Sequence, residues 1–512
     1  MVRRLGRADE RYGAVAPFVL RPFTVRQAAD AVAALRSGRA GLALIATSVG
    51  LVALTAGLGE SVATRGIASG GALPPYALSA HPPAAVVVAM LATATLAGGA
   101  GSLLLWRAVS GGWTPDPVRL LVGGLLAAGV LLLVPPTASD DLYSYAAYGR
   151  MVDLGMNPYT TTPRDLGQDP VGRAVGDPWR DTPTIYGPIA TAEQALAVKI
   201  AGGRVRTSAA LLALASALAF AVTAGLLHHA AADDGTRRRA AMLWTLNPLL
   251  LIHLVAGAHL DALLVATALA AVLALRRHPF LAGVLNGAAC CVKLTGALTA
   301  VAMAWVERRR PARLGRLALG VVLVVLPAYF AVGGLVAFSQ VQRASHFVSF
   351  ASPWRGVAVP LDAAIGHGPS RATVSILSIL AIAMFAWLLA RGMPTGDKVP
   401  RACAVATLAW LLGATYILPW YDSAAWALLA LLPASRWDCW LLARTVVLTL
   451  AYLPGRSLPM PSPLPGVLGA LRGVVAPVLL VALLIIAIRW CRAPNPHEEV
   501  AKASTLTQEE PR

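Results

Sequence analysis

Hydrophobic residues in this 512-residue chain gather into long unbroken runs, without the short periodicities of a water-soluble fold. Runs near 41–58, 84–106, 118–136, 207–229, 240–256, 259–275, 315–337, 373–391, 402–418 and 472–490 are each long enough to cross a ~30 Å hydrocarbon core as helix at ~1.5 Å per residue. Two shorter runs, 422–435 and 441–453, cross only if flanking residues snorkel or the bilayer thins. Two more stretches are interrupted by polar residues. The segment 189–203 holds Glu193 and Lys199 and is expected to lie in the interface. The segment 280–305, broken by Asn286, Gly287, Lys293 and Gly296, reads as a re-entrant hairpin whose Lys293 snorkels to the cytoplasmic side.

Composition agrees with a polytopic membrane protein: 57% hydrophobic residues, 13% charged ones and a mean hydropathy of +0.65 exclude a soluble globule. The formal charge of +18 is mainly topological. Eight arginines precede Gly41 without a signal-peptide h-region, so the N-terminus is expected uncleaved and cytoplasmic. Positive-inside bookkeeping then puts Arg107 to Arg119, Arg237-Arg238-Arg239, Arg276-Arg277, Glu307 to Arg316 and Arg391 to Arg401 on the same side. The expected fold is an all-α integral membrane bundle of about 12 crossings with both termini inside. It divides into a basic tail 1–40, a transmembrane domain 41–490 and a polar tail 491–512. Outer loops are expected at 59–83, 137–188, 338–372 and 454–470, with short turns at 257–259 and 419–421. Cys290, Cys291, Cys403, Cys439 and Cys491 fall in apolar or cytoplasmic positions, which implies no disulfide framework. No nucleic-acid motif accompanies the basic residues.

The first large outer loop carries the chemistry. Between Thr137 and Pro188 lie seven aspartates, Asp140, Asp141, Asp153, Asp165, Asp169, Asp177 and Asp181, out of 25 acidic residues in the chain. The adjacent pair Asp140-Asp141 follows directly on an apolar span. A carboxylate at the bilayer centre costs ~2.5–3.5 kcal/mol on insertion scales, so a functional pair is cheaper at the headgroup boundary, where lipid-linked substrates present their phosphate. Inverting glycosyl transfer from a sugar phosphate needs one general base, which an aspartate supplies. It also needs positive charge for the leaving phosphate. Arg150 and Arg180 flank the acidic loop, and Arg343, His346 and Arg355 lie on the second large outer loop. An Asp-bridged divalent metal, Mg or Mn, stays open, although no His/Cys/Asp/Glu spacing demands one.

Plainer readings exist for each motif. Thr137, Ser139 and Asp140 are good N-caps for an interfacial helix. The segment Pro178 to Pro188 also reads as a rigid proline-rich turn, Ala258-His259-Leu260-Asp261 as a polar turn between crossings, and Pro419-Trp420-Tyr421-Asp422 as aromatic belt and turn.

In order along the chain, Ser139-Asp140-Asp141-Leu142-Tyr143-Ser144-Tyr145, Leu154-Gly155-Met156-Asn157-Pro158-Tyr159, Asp177 to Pro188, Asn247 to Ala262 and Pro419-Trp420-Tyr421 together resemble the actinobacterial polyprenol-phosphate-mannose-dependent α-1,6-mannopyranosyltransferases of the GT-C superfamily. The resemblance covers roughly residues 118–430 and implies a GT-C-type bundle whose large first external loop contains interfacial helices. It implies an inverting enzyme of the plasma (inner) membrane with an extracytoplasmic active site. That enzyme moves mannose from polyprenyl-phosphate-mannose to a lipid-linked α-1,6-mannan, the core of lipomannan and lipoarabinomannan. Either Asp140 or Asp141 is then the base. Arg150, Arg180, Asp181, Tyr186, His259, Asp261, His346 and Arg355 are the candidates for the donor's phosphate and sugar. Leu260 stands where the family usually has Asn, and Leu294-Thr295 is unusual after Lys293; both bear on the acceptor more than on the reaction. Alternatives are a GT-C transferase with another sugar or linkage (arabinofuranosyl, α-1,2-mannosyl), a lipid or solute transporter, and a non-catalytic scaffold.

Overall fold

The computed structural model describes residues 25–492 apart from 67–72, 178, 335, 338–339, 341–345 and 457. Arg343, Pro178 and the tail segments 1–24 and 493–512 lie outside the described residues. Among the described residues the chain is all helix and loop, with a single isolated antiparallel bridge between Thr64 and Thr137.

The first half runs through α1 (Val25–Gly57), α2 (Ala84–Ser110), α3 (Pro117–Leu132), α4 (Asp141–Asp153), α5 (Pro188–Ala201) and α6 (Val205–Ala230). The middle holds α7 (Asp234–Ala256), α8 (Asp261–Ala274), α9 (Pro279–Val292), α10 (Ala297–Glu307) and α11 (Pro311–Ala331). The last third comprises α12 (Arg355–Ile365), α13 (His367–Gly392), α14 (Lys398–Gly413), α15 (Ser423–Ala430), α16 (Arg436–Tyr452) and α17 (Leu464–Arg492).

Seven of these, α1, α2, α6, α7, α11, α13 and α17, are long and apolar enough to span a membrane. Length and apolarity alone therefore give seven spans, where hydropathy runs had suggested about twelve. The difference comes from runs that the fold breaks short. The run 118–136 ends as helix at Leu132, 402–418 at Gly413, and 422–435 keeps only the eight residues of α15. The chain is a multi-pass membrane protein. From Ala240 onward helix α7 is buried on every side, as expected of a central helix. It is opened by two wide turns around Asn247, whose side chain accepts from the Leu249 and Leu250 amides. By contrast α11 and α17 leave most of their surface uncovered by protein, the pattern of lipid-facing helices.

Arginine-rich connections gather at one end of the bundle. Arg238 donates to the Pro115 carbonyl, Arg239 pairs with Asp438 at 2.7 Å and reaches the Leu429 and Leu432 carbonyls, and Arg276 faces Asp397 at 3.7 Å. At that end Arg313 also clamps Glu307 at 2.8 Å and the Leu275 carbonyl at 2.7 Å. One clamp from the first turn of α11 therefore holds the end of α8 and the end of α10 together. Asn286 of α9 donates to Thr299 of α10 at 2.6 Å, and Gly296 lies against Ala289 and Cys290. Helices α9 and α10 thus run back to back as a hairpin about 21 Å deep at ~1.5 Å per residue over 14 residues, with Lys293 at its tip.

The other end is the mouth. Its floor is tied from three remote loops. Thr64 and Thr137 hydroxyls meet at 2.7 Å, the Ala138 amide donates to Ala63 at 2.9 Å, and Thr137 donates to the Ala256 carbonyl at 2.8 Å. Ala138 sits in the left-handed region at φ 62, sparsely populated by non-glycine residues. Gly455, at φ 89, lies so close that an added Cβ would meet the Ala138 carbonyl oxygen at 2.0 Å. Only glycine admits this approach, which delivers Arg456 to the acidic pair.

Candidate active site

Ser139 opens α4 by accepting the Asp141 amide at 3.2 Å on its hydroxyl. Asp140, formally at the cap position, makes no capping hydrogen bond. Its carboxylate accepts from Arg456 at 2.8 Å, and Arg456 spends another N–H on the Ser61 and Thr64 carbonyls. Burial raises the Asp140 pKa, with Arg456 opposing the rise. Arg65 stands 5.3 Å over the Tyr143 ring beside this pair. Capping thus accounts for Ser139 and uses neither carboxylate.

Asp141 points the other way. Its nearest basic group is His259, whose Nδ1 lies 3.4 Å from Oδ2, and neither nitrogen of that buried ring has a hydrogen-bond partner. Burial pushes the Asp141 carboxyl up to about 7; Lys293 pulls it down, while Asp261 and Asp140 push it further up. The adjacent Ala258 is again left-handed, at φ 50, so the turn presenting His259 is held against its local preference. His259 stacks on Trp420 with centroids 3.6 Å apart, and Trp420 meets Tyr452 edge-on at 4.8 Å. Contacts of this type contribute about 0.5–1.5 kcal/mol each beyond area burial. They fix the imidazole plane.

Asp261 begins α8 and is buried. Both of its oxygens accept from Lys293 Nζ at 2.9 Å, and that ammonium lies 4.0 Å over the Tyr421 ring. Lys293 is 8% exposed, so it does not snorkel to the arginine-rich end as its sequence neighbourhood suggests. The hairpin carries it inward instead. Gly187 makes this possible, because its amide donates to the Val292 carbonyl at 3.0 Å and an added Cβ would meet the Cys291 carbonyl at 2.2 Å. The preceding Tyr186 packs edge-on against Tyr145 at 5.1 Å.

The structure therefore brings together Asp140, Asp141, Tyr186, His259 and Asp261 from the candidate set. It does not gather the remaining candidates with them. Arg150 is engaged by Asp153 at 2.7 Å and Asp169 at 2.9 Å, and Asp181 pairs with Arg164 on an exposed surface. Arg180 lies in the same outer turn, half-buried. His346 is exposed, and Arg355 covers the Phe350 ring at 4.2 Å. Their loop docks on 413–417, where Trp354 Nε1 donates to the Gly413 carbonyl at 2.8 Å and Thr415 donates to the Phe347 carbonyl at 2.9 Å.

Sequence reasoning missed Arg65 and Arg456, although both fall on loops it placed beside the acidic one. The signal was there: a census of arginines on those loops finds them. Asp422 of the Pro419-Trp420-Tyr421-Asp422 motif is wholly buried on Arg444 at 3.1 Å and Thr445 at 2.8 Å, which makes it a brace beneath Trp420 and not part of an aromatic belt. Among the described residues no three His, Cys, Asp or Glu side chains are placed to hold a metal ion.

What this arrangement offers chemically is one unpaired, raised-pKa carboxylate facing a neutral-acting imidazole, with a fixed ammonium behind them. Comparison with known proteins gives that constellation a setting. The chain is 29% identical over 179 residues to alpha-(1->6)-mannopyranosyltransferase A of Corynebacterium glutamicum, covering 34% of this chain and 36% of the relative. It is 31% identical over 264 residues to alpha-(1->6)-mannopyranosyltransferase A of Mycobacterium tuberculosis, covering 46% and 50%. A probable alpha-(1->6)-mannopyranosyltransferase of Mycolicibacterium smegmatis is 33% identical over 143 residues. The chain thus spans from about a quarter to half the length of these relatives. The family described as alpha-(1->6)-mannopyranosyltransferase, N-terminal domain, matches residues 38–309, more than half of the chain, from within α1 through the end of the hairpin, a stretch that carries Asp140, Asp141, His259, Asp261 and Lys293; the chain belongs to this family.

Proposed function

We propose that this protein is an inverting mannosyltransferase of the plasma membrane, using polyprenyl-phosphate-mannose as donor and extending a lipid-linked α-1,6-mannan at the extracytoplasmic face, with Asp141 as general base. One observation carries the choice of base: Asp140 is committed to Arg456, whereas Asp141 has no hydrogen-bonded cation and lies against His259. Family membership and the relatives' names support the sugar and the linkage.

In this reading the acceptor hydroxyl oxygen attacks the anomeric carbon from the face opposite the phosphate. A bond forms between that oxygen and the anomeric carbon as the bond from carbon to the phosphate oxygen breaks, and the phosphate leaves with the electron pair. Asp141 takes the hydroxyl proton. A carboxylate with a pKa near 7 holds that proton far better than an ordinary aspartate and is still half ionised at neutral pH. His259, locked between Trp420 and the Asp141 carboxylate, orients the base. No second acid is required, because a phosphate leaves without protonation.

The test is transfer by purified protein from polyprenyl-phosphate-mannose to a defined α-1,6-mannoside, read for product and linkage. Asp141→Asn should lower kcat by about 10²-fold or more while the protein stays folded. Normal transfer by that variant would overturn the base assignment, and absence of any transfer by the unmodified protein would overturn the reading itself.

A further inference from the structure

Resting on that proposed reaction, a second question is what holds Asp141 and His259 in register. Asp141 opens α4, His259 precedes α8, and no hydrogen bond joins the two. Both are reached from one short stretch at the outer end of α16, residues 452–456, which lies outside the part of the chain matched by the family. At its start Tyr452 stands edge-on to Trp420 at 4.8 Å, and Trp420 stacks on His259 at 3.6 Å. At its end Arg456 Nε donates to the Asp140 carboxylate at 2.8 Å, next to the base, while Nη1 donates to the Ser61 and Thr64 carbonyls at 2.9 and 3.1 Å. Between these ends Gly455 lies against the Ala138 carbonyl. The floor beneath completes the tie, because the Ala138 amide donates to Ala63 and the Thr137 amide to Ala256, just before the turn that presents His259.

We infer that residues 452–456 form a strap that positions both halves of the Asp141–His259 pair, Arg456 holding the first turn of α4 through Asp140 and Tyr452 holding the imidazole through Trp420. A guanidinium fixed by two backbone carbonyls and a carboxylate has little freedom left, unlike a surface ion pair. The strap also governs the charge around the base. On its own helix Asp141 is faced by Asp140, Tyr145 and Tyr148. Across the site it is faced by His259, Asp261 and Lys293, and by the phenols of Tyr186, Tyr416, Tyr421 and Tyr452. The phenols are neutral at ordinary pH, burial keeps His259 neutral, and Lys293 answers Asp261 at 2.9 Å. Asp140 remains, and Arg456 answers it, with Arg65 a weaker neighbour. Asp141 therefore lies between two ion pairs, one supplied by the hairpin tip and the other completed by the strap.

Two readings on the purified full-length protein separate hold from charge. One is the steady-state pH profile of mannose transfer. The other is an infrared difference titration of the carboxyl band that Asp141→Asn removes, which needs no substrate. Asp140→Asn keeps a side-chain oxygen for Arg456 but leaves that cation uncancelled beside the base, so the midpoint of both readings should fall by about one pH unit. Adding Arg456→Gln should return the midpoint to the wild-type value while kcat above it stays about tenfold down, because neutrality is restored and the hold is not. Arg456→Lys should keep the midpoint and most of the rate. Tyr452→Leu should lower kcat by about 2–10-fold without moving the midpoint. A segment that served stability alone would lower the unfolding temperature and leave kcat per folded molecule and the midpoint as they are, and that outcome overturns the inference. An unmoved midpoint in Asp140→Asn would overturn it too, with the proposed function intact as long as the wild type transfers mannose. Midpoints that move as stated in a protein that transfers nothing would sink the proposed function and leave the strap standing.

Discussion

The first turn of α4 and the stretch from Arg150 to Asp181 belong to the same acidic loop, yet they use their charges in opposite ways. In the outer stretch each of Asp153, Asp165, Asp169 and Asp181 is satisfied locally. Arg150 serves Asp153 and Asp169, Arg164 serves Asp181, and Asp165 closes a capping box with Thr162. Such partly exposed pairs contribute about 0–1 kcal/mol. At the first turn Asp140 is answered by Arg456 from 316 residues away, and Asp141 meets His259 without a settled hydrogen bond. Density of charge along the chain marks the loop. What separates scaffold from chemistry is whether a carboxylate has a local partner.

Substitutions can break or sharpen this contrast. The largest effect should come from setting Asp141→Asn beside Asp165→Asn: transfer falls about 10²-fold or more in the first and stays within about twofold in the second, by steady-state rates. Equal losses would erase the distinction. Next, Arg456→Ala breaks a buried pair, which typically costs about 3–5 kcal/mol. Thermal unfolding in detergent should show a clear loss, and pairing it with Asp140→Asn should restore part of it.

A third measurement uses pH. Because the folded protein holds the Asp141 carboxyl up to about 7, above its ordinary range, the base form grows as pH rises, and kcat/KM should climb with an apparent pKa near 7. The same raised value means that this carboxyl favours folding when protonated. Its contribution is present below the ordinary aspartate range and is lost as pH rises through about 7. Asp141→Asn should therefore raise the unfolding temperature more at pH 8 than at pH 5. A variant less stable at both would contradict the assignment of a desolvated charge with no hydrogen-bonded cation. The smallest effect belongs to Arg150→Ala, which should cost about 1 kcal/mol or less and leave the acceptor and donor KM values unchanged.

Much of the fold was legible, because an all-apolar run of membrane-spanning length has few solutions. Helices α2, α6 and α13 fall close to the runs that announce them. What hydropathy could not supply was where a run is cut. Lys293 looks like a snorkelling residue, because its partner Asp261 is 32 positions away and nothing local reports that α9 and α10 fold back. Asp140-Asp141 stood out as a pair, but their division of labour depends on Arg456, which only the close approach of Gly455 to Ala138 brings near. His259 and Asp261 were visible as a polar break between apolar runs. Their burial was not, since an exposed turn and a packed one read alike in sequence.

The depth of the α9–α10 hairpin has a consequence for chain length. Removing one residue from α9 would turn everything beyond the deletion by about 100° and withdraw it by ~1.5 Å, so the ammonium would swing off its carboxylate even though every helix still formed. An insertion would drive the tip into Gly187, where the backbones already touch. This segment works as a gauge of fixed reach: its residues tolerate exchange for others of like size, whereas their number does not change.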